Sequence, residues 1–350
     1  MSTQENVAAA AHAEQLPPEA ALMQMAFGCF VSQALYVAAK LGVADLVAEQ
    51  PQHVASLAAR TKTHERSLYR VLRALAMVGV FRESDDKVFG QTRLSEALRS
   101  DAPNSIRDGL IFVGEEWHWR VYGYLLRSVE TGESAWAPAH GESVFDYFAA
   151  HPEEGEIFNR AMTGMSRAAV GAVTEAYDFS GVETLADIAG GHGQLLAGIL
   201  RANPSMRGVL FDQAHVVEGA RPLLEAEGVS GRVETVAGDF FASVPAGADA
   251  YVLKHIIHDW DDERATKILA NIARSMKPGA RVLVVDAVIP RGDAPHFGKL
   301  LDLEMLVSPG GVERTEDEFR DLLARAGLRL ARVVPMRSYL SVVEARKEGD

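Results

Sequence analysis

The sequence predicts an α/β chain in which a helical N-terminal part carrying a winged-helix motif precedes a seven-stranded, mostly parallel sheet. Three observations carry this expectation. From Ser180 onward short apolar runs alternate with amphipathic stretches, the pattern of strands and crossover helices. Gly190, Gly191 and Gly193 follow the first of those runs, so strand, tight turn and helix come in succession. The stretch 54–89 reads as helix, turn, helix and a two-stranded wing.

With 350 residues, 48% of them hydrophobic, the chain is long enough for two domains with substantial cores. Cys29 is the sole cysteine, which excludes an intramolecular disulfide framework and a cysteine-based zinc cluster and suits a reducing, cytoplasmic setting. A net charge of −13 gives no general attraction to nucleic acid or to an anionic membrane.

Residues 1–20 read as a flexible tail, without the cationic start and apolar run of a secretory leader. Ala20 to Ala39 carries no charge and matches a membrane-spanning helix in length. Gln24, Ser32 and Gln33 interrupt it, and a helix buried between two subunits explains the run as well. Val54–Arg60 and Glu65–Val78 form the helix-turn-helix, with Leu68, Val71, Leu72, Leu75 and Val78 at helical spacing, and Val80–Arg82 and Val88–Phe89 form the wing. Such a unit, here residues 21–105, either reads DNA through its second helix or serves as a dimer surface. Arg66, Arg70 and Arg73 share one face, yet residues 1–110 hold 11 Lys plus Arg against 12 Asp plus Glu. That balance lacks the positive excess phosphate binding needs, and it favours the dimer surface.

Residues 106–180 read as helical and rich in aromatics. Most of these belong to an ordinary core, but Trp117, Phe148, Phe158, Met162 and Met305 are candidate walls for a flat apolar ligand, with sulfur side chains as adaptable packing.

The strands of residues 181–350 are expected at 185–189, 209–212, 233–237, 250–254, 281–288, 328–334 and 338–345, the last two an antiparallel pair. Sites in such sheets lie at the carboxyl ends of the strands. A dinucleotide would want a third small residue after Gly191-His192-Gly193, but Gln194, Leu195 and Leu196 follow. Asp187, just before the glycines, repels a phosphate and suits an ammonium, while Asp212, 19 residues past Gly193, is placed for ribose hydroxyls. A cationic cofactor with an amino-acid tail and a ribose satisfies both acids, and S-adenosylmethionine is such a compound.

After the third strand, Gly238-Asp239-Phe240 offers an acid for an adenine amino group and a ring to lie against the purine. The fourth strand runs into Lys254-His255-Ile256-Ile257-His258-Asp259-Trp260, too polar for core. His258, with an ordinary pKa near 6.5, is a candidate general base. Either Asp286, closing the fifth strand, or Glu313, in Gly310-Gly311-Val312-Glu313-Arg314-Thr315, is available to hold one ring nitrogen.

In these motifs and their order the chain resembles the plant and bacterial family of S-adenosylmethionine-dependent, metal-independent small-molecule O-methyltransferases, which includes caffeic-acid-type and polyketide-tailoring enzymes. The resemblance covers nearly all of the chain after the tail. It implies a class I methyltransferase, Rossmann-like sheet behind a winged-helix dimerisation domain, a homodimer, and no metal, nucleic acid or membrane partner. It also implies a small hydroxylated aromatic substrate, Lys254 near the adenosine end of the cofactor, and His258 as base between two acids. Two positions depart from the family pattern: Ala189 replaces a usual glycine, and Asp286 stands where plant relatives carry glutamate, one methylene longer.

Overall fold

The computed structural model describes residues 16–347, so most of the expected tail lies outside the described residues. The chain divides after Glu116 into two compact units.

In the first unit the uncharged run forms two helices, Pro18–Ala26 and Gly28–Lys40, meeting at Phe27. Together they are long and apolar enough to cross a membrane by length and composition. Leu22, Met25 and Phe30 are each about two-thirds exposed on them. The helices Val54–Thr61 and Glu65–Met77 turn at Lys62, which takes a left-handed φ of 55°. Leu57, Leu68, Leu72, Leu75, Phe81 and Phe89 close the core beneath them. The expected two-stranded wing is three-stranded: β1 (Gln52–His53), β2 (Arg82–Ser84) and β3 (Val88–Gly90) assemble in the order β1-β3-β2. A two-residue strand is too short to show an alternating pattern, so the sequence carries no sign of β1. Residues 106–116, grouped above with the helical segment that follows, pack in this first unit. Gly114 lies so close to Tyr36 that a Cβ there would sit 2.2 Å from the tyrosine's own, and Gln33 donates to its carbonyl at 3.2 Å.

The second unit opens with short helices and the 25-residue helix Pro152–Ala176, followed by β4 (Thr184–Ile188), β5 (Arg207–Asp212), β6 (Val233–Ala237), β7 (Ala250–Lys254), β8 (Arg281–Ala287), β9 (Leu328–Pro335) and β10 (Leu340–Lys347). The sheet order is β6-β5-β4-β7-β8-β10-β9. β10 is inserted antiparallel between β8 and β9, while β4 to β8 pair in parallel.

Both faces are covered, which is why the central strands read as unbroken apolar runs rather than alternations. Ala186, Ile188, Tyr251, Leu253, Val282 and Val284 face one core with Ile268, Ile272 and Phe319 from helices Asp262–Ser275 and Glu316–Arg325. Leu185, Leu210, Val252, Leu283 and Val285 face the other, against Leu196, Ile199 and Leu200 of helix Gln194–Ala202. The chain runs outward from β4 to β6 and then returns to β7 on the opposite side of β4. That reversal opens a crevice beyond the carboxyl ends of β4 and β7, where α/β sheets place ligands.

Candidate active site

The glycine turn grows directly out of β4. Ala189, Gly191 and Gly193 all take positive φ, at 55°, 60° and 82°. A side chain at Gly190 would run into Asp187 and Leu210, with approaches of 2.6 Å. Gly193 caps helix Gln194–Ala202, so the loop lays bare backbone against a helix start, a cradle that side chains would fill. Asp212 ends β5 and closes on the same loop, accepting from the backbone N–H of Gly191 at 2.8 Å and of Gln213 at 2.7 Å. Ala189 pays the steric cost of a left-handed backbone that glycine avoids, which is the physical content of the family's glycine there.

Asp187 is only 2% exposed, and its Oδ2 has no hydrogen-bond partner. Burial pushes its pKa up to about 7, with Lys254 opposing and Asp212 adding to the rise. Burial likewise brings Lys254 down to about 8, against the pull of Asp286, Asp187 and Asp259. An acid with one buried oxygen left without a partner in a glycine-lined cradle fits a cationic ligand.

Beyond β6, Gly238 donates to the carbonyl of Asp212 at 3.0 Å and leaves no room for a Cβ, which would sit 2.5 Å from the Phe211 ring. Asp239 stays exposed and accepts from the N–H of Phe241 at 2.8 Å. Phe240 meets Trp260 edge to face at 5.9 Å.

His258 lies in the short turn Ile257–Asp259 after β7 and is 5% exposed. Its Nδ1 is 2.6 Å from Oε1 of Glu313, and its Nε2 is 3.4 Å from Oδ1 of Asp259. Burial opposes protonation of the ring, but Asp286, Asp259 and Glu313 together outweigh it and raise the pKa to about 9. Of the two expected orienters, Glu313 takes the ring nitrogen and Asp286 does not. Asp286 is fully buried, accepts from the backbone N–H of His255 at 2.8 Å, and has an unpartnered Oδ2. Its short side chain is spent on the backbone of His255, three residues before His258, and reaches the ring only through its charge.

Lys254 donates to Nδ1 of His255 at 3.0 Å. An ammonium only donates, so the His255 proton belongs on Nε2, which lies 3.2 Å from the Tyr339 hydroxyl. His255 holds a left-handed φ of 55°, a strained backbone for a side chain of its size. His255, Tyr339, Asp259 and Arg314 carried no assigned role in the sequence reading. The first lay inside a quoted motif, but Tyr339 arrives from 84 residues away and had no local signal.

The candidate pocket residues fall into two groups. Trp117, Phe148 and Phe158 join Trp136 and Tyr147 in one aromatic cluster, with Phe148 stacked on Phe158 at 4.7 Å and edge-on to Trp117 at 5.6 Å. Met162 follows Phe158 by one turn of the same helix and is half-buried. Met305 is buried in helix Gly298–Val307, and its carbonyl accepts from Gly310 at 2.8 Å and Gly311 at 3.1 Å at the start of the Glu313 loop.

Residues 122–329 match the O-methyltransferase domain and residues 23–101 the O-methyltransferase dimerisation domain. The chain is 48% identical to a phenazine O-methyltransferase of Lysobacter antibioticus, over 95% of this chain and 97% of that one. It is 42% identical to a mitomycin biosynthesis 6-O-methyltransferase of Streptomyces lavendulae, over 91% and 92%. A methyltransferase of calicheamicin biosynthesis, solved with S-adenosylhomocysteine bound, superposes with a TM-score of 0.84 at 37% identity, covering 99% of both chains. With both domains matched and a class I sheet in the second unit, this chain belongs to the S-adenosylmethionine-dependent O-methyltransferases and is an enzyme of that class.

Proposed function

We propose that the enzyme methylates a hydroxyl of a small aromatic natural product with His258 as general base. The observation that carries this is the 2.6 Å contact between His258 Nδ1 and a buried Glu313, which orients the ring so that Nε2, 3.4 Å from Oδ1 of Asp259, is the nitrogen to meet an acceptor. Bound S-adenosylmethionine supplies an electrophilic methyl group. In this reading Asp187 and the cradle of Gly190, Gly191 and Gly193 hold its amino-acid end, and Asp212 its ribose. Gly238, Asp239, Phe240 and Lys254 surround the adenosine. His258 takes the hydroxyl proton, and Glu313 stabilises the imidazolium that results. Trp117, Phe148, Phe158, Met162 and Met305 wall the acceptor. One relative is named for phenazine, a flat aromatic ring system of the kind such walls suit.

The reading includes a cytoplasmic homodimer, with Leu22, Met25 and Phe30 of the dimerisation domain covered by a second copy. In the decisive experiment His258→Ala retains S-adenosylhomocysteine affinity in calorimetry and loses roughly 10²–10⁴-fold in turnover on a hydroxylated acceptor. Turnover within a few-fold of the parent would remove His258 from the role.

A further inference from the structure

We propose that Arg314 is a positioning residue that fixes the backbone turn carrying His258, through hydrogen bonds to the carbonyls on either side of it. Its side chain is 2% exposed. Nη1 donates to the carbonyl of Ile257 at 3.1 Å and Nη2 to that of Trp260 at 2.9 Å, bracketing the His258 turn from both ends. Nε and Nη2 both reach Oδ1 of Asp262 at 3.1 and 2.9 Å, and Nη1 reaches the carbonyl of Val312 at 3.2 Å.

The rest of the segment closes on the same turn. Val312 donates to the carbonyl of His258 at 2.8 Å. Gly311 lies so close that a Cβ there would come within 1.9 Å of that carbonyl and 2.4 Å of the Asp259 carbonyl carbon, backbone atoms that cannot yield. On its other side the segment is bolted to the sheet: Arg314 bridges Val288 beyond β8, and its carbonyl accepts from Ile289 at 3.0 Å. Two adjacent residues therefore do two jobs. Glu313 aims the ring, and Arg314 holds the backbone from which the ring hangs. Lysine has no planar fork and cannot span two carbonyls and a carboxylate at once.

The proposal rests on the reading of His258 as base, and its test separates the two. Arg314→Lys and Asp262→Asn are prepared in the full chain, and the His258 ring is titrated by NMR alongside kcat, KM and thermal stability. For Arg314→Lys we expect kcat to fall about tenfold with both KM values within about twofold, and the ring pKa to drop by about one unit as the Glu313 contact loosens. Asp262→Asn removes the ion pair but spares the carbonyl bonds, so its ring pKa and kcat stay within about twofold of the parent in equilibrium and rate. An Arg314→Lys chain with lowered melting temperature but parental ring pKa and kcat overturns the proposal. So does an Asp262→Asn chain that loses as much as Arg314→Lys, and where the lysine variant does not fold, an Asp262→Asn chain whose ring pKa or kcat falls outside its twofold bound overturns the proposal by itself. The ring pKa reads the turn whether or not the ring is the base, so normal turnover in His258→Ala would sink that reading alone.

Discussion

The rings of His255 and His258 lie parallel, 5.0 Å apart and 8° from coplanar orientation, in opposite electrostatic settings. Burial, Lys254 and His258 push His255 well below its usual range, so it stays neutral. His258 is buried too, but Asp286, Asp259 and Glu313 carry its pKa up to about 9. A base of that pKa is largely protonated at pH 7 before ligands bind, unlike the free imidazole expected from an ordinary histidine.

Binding of a sulfonium cation in this acid-lined crevice is therefore linked to proton release. Asp187, with a pKa of about 7, attracts the cation only when ionised, and an imidazolium at His258 repels it. Both effects have the same sign. Calorimetry is expected to show S-adenosylmethionine affinity rising about tenfold from pH 6 to pH 9, with a smaller rise for S-adenosylhomocysteine, which lacks the sulfonium charge.

Asp187→Asn is expected to weaken the methyl donor and stabilise the ligand-free chain. The folded pKa of Asp187 lies above its unfolded value near 3.9, so its contribution is fully present below that value and is lost as pH rises through about 7. At pH 8 the amide escapes the cost of a buried carboxylate with one unpartnered oxygen. Denaturant titration should show a gain of roughly 2 kcal/mol at pH 8 that vanishes near pH 4.

Glu313→Gln removes the negative partner from Nδ1 of His258. The ring pKa then falls as burial becomes less opposed, and turnover falls about 10–100-fold while the affinity for S-adenosylhomocysteine, which carries no sulfonium charge, stays within a few-fold of the parent. Steady-state kinetics with a parallel NMR titration checks both parts.

Ala189→Gly relieves the φ of 55° in the cofactor turn. A rise in stability of about 1 kcal/mol is expected, with turnover kept, because the backbone is already in the shape glycine prefers. Thermal unfolding of the two chains decides it.

By itself the sequence determined what depends on local chemistry. Strand periodicity, the glycine turn after β4 and the acids at or near the ends of β4, β5, β6 and β8 are each written within a few residues, and so is the polar run from Lys254 to Trp260. Their order carried the cofactor and the family. What it left open was which acid meets the ring, and the tertiary structure decided that. The segment from Gly311 to Arg314 is pinned to the end of β8 on one side and to the His258 turn on the other, so Glu313 arrives at Nδ1, while Asp286 is already engaged by the backbone of His255. Tyr339 reaches His255 for a related reason: β10 runs antiparallel beside β8, pairing Leu340 with Ala287, and so brings the residue before it to the carboxyl end of the sheet. Local pattern specifies which groups are present, but only the register between distant strands fixes which of them touch.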